Sequence, residues 1–367
     1  MYVKIVCISL LLILLQHMAR IIYLLGYHVT VYNHTPGPCH QIPGVEHGAE
    51  DMETLPNGMT FITAGFKWSI GSPHFSQLYT DHGRKGRILL FNFNTPEKGV
   101  TELSFDEDFD QSTFHPHGIS VIQNKDTGKI TLFVVNHTPD EDRIERFEFI
   151  EEKMMLEHEL SYIDEAINIA NDVAATSENS FYFTNYCYSR SSLGYLIEAI
   201  VLLLPWGNVV YFDGAHYSEV VDGLLMPNGI LLSKDKKYAY VANGILSSLS
   251  VFERDANNHL EISQEFQLHA SPDNFLIEPK SGNLLVGVHP VLHQTGAHLE
   301  APDLHRAPTK VLMVHMKNSS FADGITELYS DEGNNISAGS VASVYDNKML
   351  IGSVVDKLLY CEVRTLE

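Results

Sequence analysis

Pro116-His117-Gly118-Ile119-Ser120-Val121 and, further on, Pro227-Asn228-Gly229-Ile230 state one phrase: a turn with Pro or a small residue, a polar side chain, then alternating apolar positions. The phrase returns as Pro56-Asn57-Gly58-Met59-Thr60-Phe61, Ala170-Asn171-Asp172-Val173 and Pro272-Asp273-Asn274-Phe275, and more weakly as Gly339-Ser340-Val341-Ala342-Ser343-Val344. The copies lie about 45 to 67 residues apart, and each is followed by material for three more strands. That period suits a β-propeller blade. Turn residues recur in a β-sandwich too, but the shared internal order and the blade-sized spacing favour the propeller. Six copies predict an all-β, six-bladed β-propeller over residues 36–367.

Between the phrases stand β-branched and aromatic runs of strand length, among them Leu89–Phe93, Ile130–Val135, Phe181–Thr184, Val209–Phe212 and Tyr238–Val241, with Gly, Asn, Asp and Pro between them. In a propeller the innermost strand of each blade lines the channel. That places His117, Asn171, Asn228 and Asp273 on one ring at the mouth, with Asp172 and Asn274 just inside it. With Glu50-Asp51 they bring carboxylate and amide oxygens toward one axis, the donor set that a hard cation such as calcium takes.

The 367 residues are 44% hydrophobic, ample for a full core, and the formal net charge is −22. Nucleic acid is excluded as a partner, because phosphate binding needs clustered Lys and Arg. Lys4 precedes an apolar run from Ile5 to Leu15, and a second runs from Ile21 to Tyr27. Residues 1–30 read as a secretory signal or an uncleaved anchor. Cys39 and Cys361 lie at opposite ends of the folded part, and in a secreted chain they predict one disulfide tying the N-terminal strand to the C-terminal one. Cys187 reads as a small buried hydrophobe. Sequons begin at Asn33, Asn136, Asn318 and Asn335. Asn318 and Asn335 sit in polar, loop-like stretches and are the expected glycan acceptors, while Asn136 sits in a strand.

The stretches Gly48–Gly58, Phe114-His115-Pro116-His117-Gly118-Ile119-Ser120, Leu132–His137, Asn171-Asp172-Val173, Pro227–Ile230, Gly287–Pro290, Gly339–Tyr345 and Leu359–Glu362, in this order, resemble the paraoxonase family of calcium-dependent lactonases and arylesterases. The resemblance covers the chain from about residue 36 and implies two calcium ions. A catalytic ion would take Glu50, Asn171, Asn228, Asp273 and Asn274; a deeper structural ion would take Asp51, Asp172 and the Ile119 carbonyl. The ion would polarise an ester or lactone carbonyl, His117 would act as general base on water, and His137 would orient it and pass on the proton. His289 matches a channel-lining position. The chain departs from the family at Tyr186-Cys187, where an Asp-His is usual, at His115 and at Val288.

Tyr195–Trp206 is unusually apolar, and Leu196, Ile197, Ile200, Val201 and Leu204 can form one face at helical spacing. The resemblance implies an amphipathic helix here that flanks the channel mouth and meets a membrane or lipid surface, the alternative being a helix packed over the propeller. The leading expectation is a secretory-pathway hydrolase, extracellular or membrane-anchored with the propeller on the lumenal or extracellular side. Its rival is a non-enzymatic, membrane-anchored assembly factor for membrane proteins.

Overall fold

Each of the quoted apolar runs coincides with an interior strand of one of the six sheets. The computed structural model describes residues 2–69, 72, 74, 75, 77 and 85–364. Blade one comprises Met52–Thr54, Met59–Ala64, Arg87–Asn92 and Val100–Glu102. Blade two comprises Pro116–Gln123, Ile130–His137, Asp142–Ile150 and Met155–Tyr162, with Ser104–Phe105 added in parallel at its outer edge. The inner strands of blades three to six are Ala170–Ser177, Pro227–Leu232, Ser271–Ile277 and Gly339–Tyr345. The six innermost strands touch one another in cyclic order around the channel.

Large apolar side chains fill the spaces between blades. Phe61, Phe114, Phe147 and Phe149 pack between blades one and two, and Phe133, Phe181, Phe183 and Phe212 between two and three. Each such ring contributes roughly 1.5–3 kcal/mol when taken out of water. A single blade would leave both of its faces wet, so the sheets are stable only as a closed ring. Closure comes from Cys39–Gln41, which pairs antiparallel with Leu359–Glu362 in blade six; Cys39 faces Cys361 and is disulfide-bonded to it.

The recurring phrase marks a β-bulge. Pairing slips between Pro116 and Ile119, Ala170 and Val173, Pro227 and Ile230, Pro272 and Phe275, and Gly339 and Val341. A bulge frees its residues from the ladder and re-aims them; here it turns His117, Asn171-Asp172, Asn228 and Asp273-Asn274 toward the axis. Ile169, Met226 and Ala338, each just before an inner strand, have φ of 49°, 54° and 49°. That left-handed backbone is rare for non-glycine residues, above all for a β-branched one, and marks a stressed corner at the channel mouth.

One expectation needs correction. Pro56-Asn57-Gly58 belongs to the hairpin between Met52–Thr54 and Met59–Ala64, with Gly58 at φ 84°. The blade-one counterpart of the bulge residues is Glu50-Asp51, which lacks the turn proline. The small apolar helix expected at the channel mouth is present, shifted a few residues earlier than Tyr195–Trp206, as one turn at Ser192–Tyr195 and a π-turn at Leu196–Val201. The wide turn offsets the side-chain period, so Leu196, Ile197 and Val201 are exposed while Ile200 packs inward beside Met226.

The N-terminal helix Tyr2–Leu24 is long and apolar enough to cross a membrane and has no buried residue. Cys187 is buried, as expected. Asn318 and Asn335 are exposed. Asn136 is buried, accepting from the His115 N–H and donating to Glu145, which removes it as a glycan acceptor.

Candidate active site

The freed side chains meet at the top of the channel. Glu50 is the hub. Its Oε1 accepts from Asn274 Nδ2 at 2.8 Å and lies 3.3 Å from His117 Nε2, and its main-chain oxygen accepts from Ser340 Oγ at 2.6 Å. Asp273 Oδ2 meets His289 Nε2 at 2.7 Å. His117 Nδ1 lies 3.1 Å from His137 Nε2, and His137 Nδ1 lies 2.8 Å from Asp142 Oδ1. All of these side chains are buried.

One set of atoms carries the most information. Glu50 Oε2, Asn171 Oδ1, Asn228 Oδ1, Asp273 Oδ1 and Asn274 Oδ1 are buried and have no hydrogen-bond partner. Buried polar atoms are nearly always paired, and these five oxygens come from four blades. Among the described residues no three His, Cys, Asp or Glu side chains form a cluster able to hold an ion by themselves. The donor set is instead two carboxylates and three amides, all oxygen, which fits a hard cation.

One layer deeper, Asp51 Oδ1 accepts from the Met52 N–H and Oδ2 from the Ile119 N–H at 2.9 Å. Asp172 accepts from the Val173 and Ile230 N–H groups, both at 2.7 Å. Each carboxylate thus spans two blades. There is no space between them for larger side chains: a Cβ on Gly118 would stand 2.4 Å from Asp172 Oδ1.

Burial raises the Glu50, Asp51 and Asp172 carboxyls well above the usual carboxylate range, and each is pushed further by a neighbouring acid, Asp273 on Glu50, Glu50 on Asp51 and Asp51 on Asp172. Burial lowers His117 to about 4 against the pull of Asp273 and Asp142. His137 is also lowered by burial, with Asp142 opposing. Both imidazoles are therefore neutral near pH 7.

Above the oxygens lies a cavity of about 480 Å³, floored by Glu50, His117, Asn171, Asn228, Asp273 and His289. Its walls are apolar: Ile169, Leu196, Ile200, Leu292 and Leu299, with Tyr186 and Tyr195 on one side. Leu25, just past the N-terminal helix, is part of the wall and is held by its carbonyl to the His293 N–H at 3.1 Å.

Of the residues expected at the site, Glu50, His117, Asn171, Asn228 and Asp273 line the cavity, Asn274 and His137 are hydrogen-bonded to Glu50 and His117, and Asp51 and Asp172 bind the Ile119 and Ile230 N–H groups. The sequence reading missed Asp142, Arg190 and Ser340. Asp142 lies in the turn-like run Pro139-Asp140-Glu141-Asp142, and only the register of blade two, where it pairs with His137, sets it apart from its acidic neighbours.

Comparison with known proteins agrees with this geometry. The Arylesterase family profile matches residues 30–363. Serum paraoxonase/arylesterase 2 of Gallus gallus is 34% identical over 325 residues, covering 89% of this chain and 88% of that protein. Serum paraoxonase/lactonase 3 of Rattus norvegicus is 32% identical over 328 residues and covers 89% of each. Among solved structures, a luciferin-regenerating enzyme superposes with TM-score 0.53 at 12% identity, covering 89% of this chain and 95% of that one, a likeness of fold alone. A family match over nearly the whole propeller, together with relatives above 30% identity along almost their full length, makes this chain a member of the arylesterase family.

Proposed function

We propose that the chain is a calcium-dependent hydrolase of lactones and aryl esters. Ester hydrolysis follows from the family, and the lactone and aryl-ester classes from the names of the relatives. The observation that carries the residue assignments is the set of five unpartnered oxygens facing the His117–His137 pair across one apolar cavity. Glu50, Asn171, Asn228, Asp273 and Asn274 would hold the catalytic calcium, and Asp51, Asp172 and the Ile119 carbonyl the structural one. When bound, the catalytic ion supplies Lewis-acid polarisation of the ester carbonyl and charge to offset the oxyanion.

The chain's own groups do the rest. Neutral His117 has a lone pair to take a proton from water, and its Nδ1 hands one on to His137 Nε2, 3.1 Å away. The apolar wall takes the acyl chain or aryl ring out of water. The helix Tyr2–Leu24 anchors the protein in the secretory pathway with the propeller on the lumenal or extracellular side, and the exposed Leu196, Ile197 and Val201 lie against lipid. No observation favours the assembly-factor role over catalysis.

The test is turnover of a panel of lactones and phenyl acetate by the purified chain, with calcium and with a chelator. Calcium-dependent hydrolysis of either class is the expected result; no turnover of either with calcium present would defeat the proposal.

A further inference from the structure

We propose that Asp142, clamped by Arg190, is the positioning residue that sets the histidine pair in its working tautomer. This rests on the reading of His117 and His137 as the proton-accepting pair. Asp142 opens the third strand of blade two directly opposite His137 and is 4% exposed. Its Oδ1 lies 2.8 Å from His137 Nδ1, its Oδ2 accepts from the Ala170 N–H at 3.2 Å, and Arg190 approaches both oxygens at 3.5 and 3.3 Å. Arg190 is anchored in turn by Nε donation to Asn168 at 3.2 Å.

The consequence follows from counting donors. An ionised carboxylate only accepts hydrogen bonds, so His137 carries its proton on Nδ1. Its Nε2 must then accept from the His117 Nδ1–H. That leaves His117 Nε2, at the cavity floor 3.3 Å from Glu50 Oε1, without a proton of its own, the form a general base needs. Burial alone would raise Asp142, but His137, Arg190 and the Ala170 N–H together hold it below the ordinary carboxylate value, so it remains an acceptor. Without the carboxylate, His137 can turn its proton to Nε2. The His117 proton then moves to its own Nε2, and the base is blocked.

The experiment uses the full-length protein in detergent with calcium. Nitrogen-15 histidine NMR of the unmutated chain should show His137 protonated at Nδ1 in a strongly low-field hydrogen bond; protonation at Nε2 overturns the proposal without any variant. In parallel, His117→Gln, His137→Gln and Asp142→Asn are compared with the parent. Asp142→Asn should lose the low-field signal and lower kcat roughly tenfold or more, with KM within about threefold. Unchanged kcat in Asp142→Asn beside a large loss in His137→Gln refutes the role of Asp142 and leaves the histidine pair standing. Full kcat in both His117→Gln and His137→Gln overturns the pair itself, and this proposal with it.

Discussion

His117 is neutral because it is buried, and neutral is what a base must be. Replacing it by Gln keeps size and hydrogen bonding but removes the proton acceptor. Lactone turnover should fall at least about tenfold while calcium affinity, measured by titration calorimetry, stays near normal; equal loss of both would make the residue structural. The neighbouring acids give a second expectation. Glu50, Asp51 and Asp172 are raised, so in chelated protein the folded state binds more protons than the unfolded one, and stability falls as pH rises through their folded values. His117, depressed to about 4, works the other way, losing stability as pH falls, but its contribution is complete above about 6.5. The melting temperature of chelated protein should therefore drop as pH rises above about 6.5, and saturating calcium, which replaces those protons, should flatten the profile. A flat profile in the chelated protein would disprove the shifts. Asn171-Asp172, Asn228 and Asp273-Asn274 were legible in the sequence because each sits at a bulge that follows a turn signal; Glu50-Asp51 has no such signal and was read from the family resemblance. Asp142 was not, because strand register, which pairs it with His137, is a property of the folded hairpin.

At the level of strands, the bulge is the device that builds the centre, and the phrase announcing it carried most of the architecture. Glu50-Asp51 went out of phase because a bulge needs no proline; the nearby Pro56-Asn57-Gly58 hairpin carried the louder turn chemistry. The apolar helix was legible as a run of apolar residues, but its exposed face depends on a π-turn, and no residue pattern in Leu196–Val201 separates that from an α-turn. The closing strand pair makes a quantitative statement. The Cys39–Cys361 bridge spans 322 residues of sequence. The chain-entropy relation assigns a loop of that size on the order of 5 kcal/mol. Cys39→Ser should lower unfolding free energy by up to that amount in a denaturant titration, without moving KM. A midpoint equal to that of the parent would mean that the strand pairing alone holds the ring.

For the molecule as a whole, the apolar helix, the exposed Leu196, Ile197 and Val201, and the cavity all lie at one end, with Leu25 joining helix to cavity wall. Deleting residues 2–24 should abolish flotation with phospholipid vesicles while phenyl acetate turnover stays within about threefold. Retained flotation would place the lipid-binding surface elsewhere. Blade six contains both early and late sequence: Cys39–Gln41 waits for Leu359–Glu362. Throughout translation, then, the nascent chain holds five blades' worth of aromatic faces and a half-gathered nest of acids with no partner to shut them in. Only after the ribosome has released the last strand can that edge be zipped, so an early stop codon that removes those four residues should yield a chaperone-bound polypeptide rather than a weakened enzyme.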